Sequence, residues 1–225
     1  MYTSLPREFY DRSALEVAQE LLGHCLVRRI GDELCGGLVV ETEAYLAEDD
    51  PSMWAYQRET GRNRTLFQTT GHFYIYRVYR QHALLNVSCR ERGVAEAVLV
   101  RAIEPTFGES VMRQYRRVER TQDLTSGPSK LCVALNVDTH LSDGDACDGG
   151  GALFYAANPQ REREMAERSP LITTTRIGLS RGGDLPLRFY LGGSKWVSKR
   201  IPRYEAPHFT AELKAAEEDA PSLFT

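Results

Sequence analysis

The sequence lacks the features that mark membrane proteins, disulfide-rich secreted proteins and zinc-binding proteins. No apolar run reaches the length of about 18 residues that a membrane span needs, and the opening stretch MYTSLPREFYDRS has no apolar segment typical of a signal peptide. The five cysteines are widely spaced and form no CxxC pair, so they predict buried free thiols. The five histidines show no ligand spacing, and no metal site is expected. These absences favour an intracellular, cytoplasmic protein.

Lysine is scarce, and almost all basic residues are arginines. The formal net charge of −3 argues against a protein that coats nucleic acid regardless of its sequence. The arginines nevertheless cluster, at Arg77 and Arg80 and again within residues 113–120, and the guanidinium fork suits phosphate. Solvated helices rich in arginine are also common, so residues 113–120 are open to both readings, a DNA contact and a solvated helix.

The length and composition predict one globular domain. The chain has 225 residues, of which 42% are hydrophobic and 26% charged, and this is ordinary for a protein with a substantial core. Most separators between predicted strands have hairpin length, which favours antiparallel pairing. We therefore expect an α+β fold over residues 1–203, with a mainly antiparallel curved sheet and flanking helices. Residues 204–225 are charged and rich in alanine, and are expected to form a peripheral tail.

Helices are predicted at three places. In residues 13–23, Ser13 and Glu16 have capping-box spacing and the apolar residues recur at helical intervals. The stretch GESVMRQYRRVERT follows Pro105, and GPSKLCVAL has a proline near its start. The glycine-rich GDACDGGGA lacks the context of a phosphate-binding loop and is expected to be a turn. Strands are predicted in eight segments: HCLVRRI, LCGGLVVETEAYL, HFYIYRVY, ALLNVSC, AEAVLVRAIEP, CDGGGALFYA, RIGLSRGGD and LRFYLGGSKWVS.

Two glutamates share one face of the strand VVETEAY. Alternation along a strand places Val39, Glu41, Glu43 and Tyr45 on one side. The other side would carry Leu38, Val40, Thr42 and Ala44. A carboxylate buried without a partner is costly, so Glu41 is expected at the rim, paired with arginine. Glu43, beside an aromatic residue and close to a loop, better fits a base that holds a water molecule.

Aromatic residues alternate with arginines in GHFYIYRVYRQHALLN. Tyr74 and Tyr76 share a face, and Tyr79 is expected to be exposed at a turn between Arg77 and Arg80. A protein that stacks a nucleobase and holds the flanking phosphates needs this combination. The alternative is a strand half buried in a core, and it accounts for Tyr74 better than stacking does.

Two polar residues interrupt apolar strands. Asn86 lies inside ALLNVS, where it would either pair a strand end or contact a ligand edge. Arg101 closes AVLVRAIEP, where it would either form a structural ion pair or serve as the partner of Glu43.

Taken in order, these segments resemble the alkyladenine (3-methyladenine) DNA glycosylase family. The resemblance implies a single α+β domain without metal or organic cofactor. It also implies that the enzyme flips a damaged nucleotide out of the helix and hydrolyses its N-glycosidic bond. The matching segments cover most of the chain: LPREFYDRSALEVAQELLG, VVETEAYL, GHFYIYRVY, LLNVSC, VLVRAIEP, LTSGPSKLCVAL, TRIGL and LRFYLGGSKWVS.

The resemblance assigns three residues to the chemistry. Glu43, the second glutamate of ETEAY, matches the family's general base. Arg101 matches the arginine that helps to orient the attacking water, and Leu179 matches a residue that contributes a backbone carbonyl. No lysine lies near these motifs to act as an amine nucleophile, so hydrolysis without strand cleavage is expected.

The remaining assignments concern base and DNA contacts. Tyr45 and Tyr76 match the aromatic walls of the base pocket, and Tyr79 matches the wedge that fills the gap left in the helix. Asn86 matches the asparagine whose bulk meets the 2-amino group of guanine and so helps to reject the normal base. Four basic residues are expected at the DNA backbone: Arg62, Arg77, Arg80 and Lys130.

Two positions depart from the family pattern. Gly61 stands in TGRN where the family usually has TPRN, which loosens a loop. Trp54 stands where the family typically has a histidine that donates to the base edge. Tryptophan keeps a π-face and an N–H donor but is larger, which predicts good processing of cationic 3-methyladenine and 7-methylguanine and poor processing of neutral hypoxanthine and ethenoadenine. Alternatively, the loop is shifted by one residue and Trp54 packs beneath the pocket.

The expected partner is double-stranded DNA that contains damaged purines, bound by a monomer without membrane contact and at the nucleoid in a bacterium. A second hypothesis is a family member that binds damaged bases without excising them, motivated by Trp54 and by the slightly acidic charge. A third is a hydrolase of small glycosides or nucleosides, against which the arginines of residues 113–120, Tyr79 and Lys130 argue.

Overall fold

The computed structural model describes residues 2–68, 70–168 and 170–201, except for the side chains of Trp54 and Ala55. The predicted tail, residues 204–225, lies outside the described residues. No helix in the described ranges is long and apolar enough to cross a membrane. All five cysteines carry free thiols, as predicted; three are buried and two are half-buried.

Seven short helices, eight strands and two 3-10 turns make up the described chain. The helices are α1 (Arg7–Tyr10), α2 (Ala14–Glu20), α3 (Arg64–Gln68), α4 (Glu109–Tyr115), α5 (Gln122–Thr125), α6 (Pro128–Ala134) and α7 (Arg161–Glu167). The strands are β1 (Cys25–Ile30), β2 (Glu33–Tyr45), β3 (Phe73–Val78), β4 (His82–Cys89), β5 (Glu96–Phe107), β6 (Leu153–Ala156), β7 (Leu171–Thr174) and β8 (Arg188–Leu191). The 3-10 turns are Pro51–Tyr56 and Thr139–Leu141.

The eight strands form one open, curved sheet in which every pairing is antiparallel. The main order is β3-β4-β5-β2-β1-β6, while β8 pairs with β2 and β7 pairs with β8. The predicted α+β class with a mainly antiparallel sheet is confirmed. The strand β2 is central: its first half lies between β1 and β5, and its segment Glu41–Glu43 lies between β5 and β8.

Glycine allows β2 to fit between its neighbours. A Cβ atom on Gly36 would lie 2.0 Å from the Leu26 carbonyl oxygen, and one on Gly37 would lie 1.9 Å from that of Glu104. Both distances are far inside van der Waals contact, so only glycine permits this spacing. The two glycines thereby let the strand that carries Glu41 and Glu43 cross the middle of the sheet.

The predicted helix at residues 13–23 forms as α2, with its capping box in place. The Ser13 side chain accepts from the Glu16 backbone N–H, and the Glu16 carboxylate accepts from that of Ser13. The helix packs its apolar stripe into the main core, and the Thr42 hydroxyl donates to the Ala18 carbonyl oxygen at 2.7 Å. The packing thus fixes one face of β2 while the opposite face is left for the site.

Three sequence expectations are corrected. The segment RIGLSRGGD forms bends and turns rather than a strand, because Gly178 and Gly182 adopt positive φ of 81° and 62°. The predicted helix after Pro105 extends only over Glu109–Tyr115. Val39 does not share the face of Glu41: the register with β5 shifts between these two residues, and both Val39 and Val40 pack in the main core.

Candidate active site

A cavity of about 200 Å³ opens at the sheet face that carries the aromatic residues. It is bounded by β2, β3, β4 and β5, by the first 3-10 turn, and by the loop after β7. The residues that line it include Tyr45, Tyr56, Tyr74, Tyr76, Asn86 and Leu179. The fold therefore brings together residues that lie more than a hundred positions apart in the sequence.

Glu43 does not line this cavity but is hydrogen-bonded to Tyr45, which does. Its side chain is fully buried, and one carboxylate oxygen lies 3.1 Å from Arg101 Nη1. The same oxygen accepts from the Ile177 backbone N–H at 2.9 Å, while the other accepts from the Tyr45 hydroxyl at 2.9 Å. Tyr45 therefore contacts both the cavity and the carboxylate. Glu43 and Arg101 are thus close together, as the sequence hypothesis requires.

Burial raises the pKa of Glu43 above its ordinary value. The Arg101 charge, the Ile177 N–H and the Tyr45 hydroxyl each lower this pKa in part, whereas the neighbouring Glu41 carboxylate raises it further. A carboxylate with a raised pKa is a better proton acceptor than one in water. The environment therefore makes the Glu43 carboxylate a stronger proton acceptor than a glutamate in water.

Glu41 holds the other side of Arg101. Its Oε1 accepts from Arg101 Nε at 3.0 Å and from Arg188 Nη1 at 2.9 Å. The Ser198 backbone N–H donates to Oε2 at 2.6 Å, and the Ser198 hydroxyl donates to Oε1 at 2.8 Å. The predicted pairing with arginine is confirmed, but the predicted rim position is wrong, because β8 and residues 197–201 cover this carboxylate completely.

Two carboxylates and two guanidinium groups therefore form a buried, charge-balanced cluster of Glu41, Glu43, Arg101 and Arg188. Both readings of Arg101 hold together: it forms a structural ion pair with Glu41 and is also the partner of Glu43. Removal of one member leaves an uncompensated buried charge, which typically costs about 3–5 kcal/mol. The cluster fixes the Arg101 guanidinium between the two glutamates.

Both tyrosines of β3, Tyr74 and Tyr76, line the cavity. The Tyr74 and Tyr76 rings stack with centroids 5.3 Å apart and an interplanar angle of 29°, which confirms that they share a face. Tyr74 also packs in a small cluster with Met53 and Leu66, as the core interpretation predicts. Burial raises the pKa of Tyr76 to about 12, so its hydroxyl stays protonated at neutral pH.

Asn86 pairs two strands, which is the first of its two predicted roles, and its contact with a ligand edge stays a prediction. It pairs with Tyr74 across β3 and β4, and its amide donates to the Tyr74 carbonyl oxygen at 3.1 Å. The side chain is buried yet lines the cavity wall. Its orientation is thus fixed by the strand pair while its bulk borders the space in which a base would lie.

The hairpin between β3 and β4 presents Tyr79 at its tip. The side chain is 90% exposed, as predicted. Tyr79 and Arg80 both adopt left-handed backbone conformations, with φ of 49° and 61°. Such conformations cost about 1–3 kcal/mol each in residues other than glycine and tend to occur at functional sites.

The four predicted phosphate contacts differ in their surroundings. Arg77 is paired with Asp138, and this pair lowers the pKa of Asp138 to about 2. Lys130 lies 3.5 Å from Asp123. Arg62 and Arg80 are exposed, in the turn before α3 and at the hairpin tip. DNA would therefore compete with acidic partners at the first two positions.

The arginine cluster at residues 113–120 is partly structural. Arg113 binds Glu109 and the Val118 carbonyl oxygen, and Arg116 donates to the Asp123 carbonyl oxygen at 3.0 Å. Arg117 and Arg120 are exposed. A contact with DNA stays a prediction for these last two residues.

A second buried ion pair, between Asp50 and Arg176, was not predicted from the sequence. Arg176 donates to both carboxylate oxygens of Asp50, at 2.6 and 2.7 Å. Asp50 accepts from the Ser52 N–H and so caps the first 3-10 turn. The Asp-Pro-Ser sequence was a usable signal of that cap, but nothing in the sequence connects it to Arg176.

Trp54 lies in the 3-10 turn Pro51–Tyr56, but its side chain is outside the described residues. Its neighbours Met53 and Tyr56 line the cavity. Both sequence readings of Trp54, in the pocket or beneath it, stay predictions.

Comparison with known families agrees with this geometry. The family model of methylpurine-DNA glycosylase matches residues 8–195. The chain belongs to this family. Its members are DNA glycosylases, which hydrolyse N-glycosidic bonds, and the predicted class of enzyme in base excision repair is therefore confirmed.

Three relatives carry the provisional name 3-methyladenine DNA glycosylase. Those of Methanoculleus marisnigri and Carboxydothermus hydrogenoformans are each 41% identical to this chain, over 88% and 87% of its length and 100% and 99% of their own. That of Gloeobacter violaceus is 40% identical over 86% of each chain. The similarity to this glycosylase family thus covers the described sheet, the cavity and the buried cluster.

Proposed function

We propose that this protein is a monofunctional DNA glycosylase that flips alkylated purines out of duplex DNA and hydrolyses their N-glycosidic bonds. 3-Methyladenine and 7-methylguanine are its preferred substrates. One observation carries the proposal: the buried Glu43 carboxylate lies 3.1 Å from Arg101 Nη1 and is hydrogen-bonded to Tyr45, which lines a cavity rich in tyrosine. A base in this cavity would present its sugar to a carboxylate that is already fixed in place.

The cavity suits a planar base. The Tyr45 and Tyr76 rings border it, and stacking on an aromatic side chain contributes about 1–3 kcal/mol per base. Extrusion of a nucleotide costs a few kcal/mol, and least for a damaged base. The two rings therefore offset the cost of extrusion, while Asn86 limits the space beside the base.

The carboxylate suits the bond-breaking step. Departure of the base leaves a sugar with oxocarbenium character, which a nearby carboxylate stabilises. Glu43 then takes a proton from water, and the resulting hydroxide bonds to the sugar carbon. The Tyr45 hydroxyl, which now occupies one Glu43 oxygen, would yield that oxygen to the water, while Arg101 and the Leu179 carbonyl group help to orient it.

The reaction is proposed to stop at hydrolysis. A glycosylase that also cleaves the strand needs an amine nucleophile. Lys130 is engaged near Asp123 and Ser126 and lines no part of the cavity. The product is then a free base and an intact abasic strand.

A damaged-base binding protein is the second candidate. Both oxygens of Glu43 already accept hydrogen bonds from the protein, which favours a carboxylate that supports the pocket without activating water. Release of free base by the unmodified protein would exclude this candidate.

Duplexes that each contain one defined lesion test the substrate assignment. We expect single-turnover release of 3-methyladenine and 7-methylguanine, identified by mass, and much slower release of hypoxanthine and ethenoadenine. The cause is that cationic bases leave readily and gain from stacking on tyrosine, whereas neutral lesions lose the polar contact of the usual histidine. Excision of hypoxanthine at least as fast as that of 3-methyladenine would contradict this lesion preference. If the protein releases no base from any of these duplexes, the proposed glycosylase activity is wrong.

Tyr79→Ala is expected to slow excision about tenfold from a fully paired duplex and less from a mispaired one. An inserted side chain compensates for lost stacking, and this matters most when the base pair is intact. The tip is 90% exposed, so the unfolding midpoint should stay unchanged.

Tyr2→Ala is the matched control, because Tyr2 is also exposed but packs against Phe107 and is not part of the hairpin that carries Tyr79. This control should keep the unmodified rate. Equal slowing on paired and mispaired duplexes would show that Tyr79 does not act as a wedge.

A further inference from the structure

The buried pair Asp50–Arg176 takes part in no step of the proposed reaction, yet it contacts several of the segments that surround the cavity. Arg176 donates to the Ala44 carbonyl oxygen at 2.9 Å and to that of Gly182 at 2.9 Å. Asp50 accepts from the Leu46 N–H at 3.2 Å. The pair therefore joins the end of β2, the loop that leads to the first 3-10 turn, and the loop that carries Leu179.

The Arg176 guanidinium also covers the ring of Tyr45. Its central carbon lies 4.7 Å from the ring centroid. The side chains of Arg176 and Asp50 are both fully buried, and the cavity wall contains Tyr45 but not Arg176. One face of the ring is therefore occupied by a cation, and only the other face can receive a base.

This arrangement has an electrostatic consequence. A cation on one face of an aromatic ring draws on the same negative π-density that would attract a second cation to the opposite face. The Asp50 carboxylate binds both Nη atoms of the guanidinium, while the guanidinium carbon itself lies over the ring, so the counter-charge does not displace the cation from the ring face. A neutral base loses little from this, whereas a cationic base loses part of its attraction to Tyr45.

We propose that Arg176 is a specificity-determining residue, which weakens the binding of cationic bases on Tyr45 relative to neutral bases, with Asp50 as its counter-charge. The inference rests on the proposed function. It adds that Arg176 reduces the preference of the pocket for cationic lesions, so that neutral bases are excised at a larger fraction of the rate of cationic ones.

An internal competition measures this effect. Two duplexes, one with 7-methylguanine and one with hypoxanthine, react together with the enzyme, and the released bases are quantified by mass. The ratio of the two rates does not depend on the fraction of folded enzyme. The decisive comparison is between Asp50→Asn and the double variant Asp50→Asn with Arg176→Gln, because both proteins lack the Asp50 carboxylate and they differ only at residue 176, where glutamine removes the positive charge together with part of the side chain.

We expect Asp50→Asn to lower the ratio of 7-methylguanine to hypoxanthine release, since the guanidinium then lacks its counter-charge. The double variant should show a ratio about threefold to tenfold higher than the single variant. A pair that only supports the fold would slow both reactions equally, so equal ratios in the two variants would overturn the inference.

Two further outcomes are informative. If Asp50→Asn abolishes release of both bases, Arg176→Lys and Arg176→Gln give the same comparison, and Arg176→Gln should have the higher ratio; equal ratios again overturn the inference. If the unmodified protein releases neither base, the proposed function fails, and the inference fails with it. If the unmodified protein releases both bases and the variants show the same ratio, the role of Arg176 is wrong. The proposed function is not affected by that result.

Discussion

Glu43→Gln is expected to reduce the single-turnover rate of base release by about 10²- to 10⁴-fold, the usual contribution of a positioned general base. The glutamine amide oxygen can still accept from Ile177 N–H and from Arg101, and its NH₂ group can donate to the Tyr45 hydroxyl, which reverses the present direction of that bond. The hydrogen bonds of residue 43 are therefore kept while the proton acceptor is lost. Because the buried cluster loses one charge, the free energy of unfolding should also fall, so rates are compared at equal concentrations of folded protein.

The variant should still bind a duplex with an abasic-site analogue as tightly as the unmodified protein does. In the proposed mechanism, binding uses the cavity and the hairpin tip, and neither depends on the charge of residue 43. Retained binding without base release would show that Glu43 acts in the chemical step. An unchanged excision rate would remove Glu43 from the mechanism.

Glu96→Gln provides the matched control for this experiment. Glu96 is also a buried glutamate on the sheet, but it accepts from the Ala14 N–H at 2.8 Å near the start of α2 and does not line the cavity. Its carboxylate also accepts from the Ala47 N–H at 3.4 Å, and neither Ala14 nor Ala47 lines the cavity. A comparable loss of activity in this control would attribute the effect of Glu43→Gln to the fold rather than to catalysis.

The sequence predicts those parts of the site that depend on local alternation. The shared face of Tyr74 and Tyr76, and the exposure of Tyr79, follow from the period of a strand and from the turn that ends it. The capping box at Ser13 and Glu16 is equally local. These features need no knowledge of which strands are neighbours.

The burial of Glu41 could not be predicted in this way. Its two arginine partners come from β5 and β8, and residue 198 comes from beyond β8. The local pattern showed that a charge on a largely apolar strand needs partners, but not that three distant segments would provide them and exclude water. The rim prediction failed because sheet order is a long-range property.

The strand predicted for the loop that contains Ile177 and Leu179 was wrong for a related reason. Alternating apolar residues and glycines in RIGLSRGGD are compatible with a strand and with a turn. In the fold, the Ile177 N–H donates to Glu43 and the Arg176 side chain joins Asp50, so this backbone is satisfied by the site rather than by a neighbouring strand. A sequence pattern cannot distinguish these two kinds of hydrogen-bond partner.

Arg101→Gln is expected to have the second large effect, because it removes the cation that Glu41 and Glu43 share. Glu41 keeps Arg188, but Glu43 loses its only ion-pair partner among the described residues. At neutral pH the free energy of unfolding should fall by about 3 kcal/mol. The attraction to Arg101 also lowers the pKa of Glu43 in the unmodified protein, so the variant raises that pKa further.

The direction of both pH dependences follows. If Glu43 is the base, as proposed, activity requires its carboxylate. The excision rate of the unmodified protein should then fall as the pH drops through the raised pKa of Glu43, and in Arg101→Gln this fall should begin at a higher pH. A carboxyl group whose folded-state pKa lies above its unfolded value binds more protons when folded, so the variant should regain stability as the pH decreases through that folded pKa. Excision rates and urea denaturation measured across the same pH range check both effects.

Arg101→Lys separates charge from geometry in this prediction. An ammonium group keeps the positive charge near Glu43 but cannot reach both glutamates in the way that Nε and Nη1 of the guanidinium do, at 3.0 and 3.1 Å. The acid limb of its activity profile should therefore stay close to that of the unmodified protein, while its rate at the optimum falls. If Arg101→Gln and Arg101→Lys shift the acid limb equally, the charge of Arg101 does not set the pKa of Glu43, and the coupling that places these two groups in one catalytic unit is wrong.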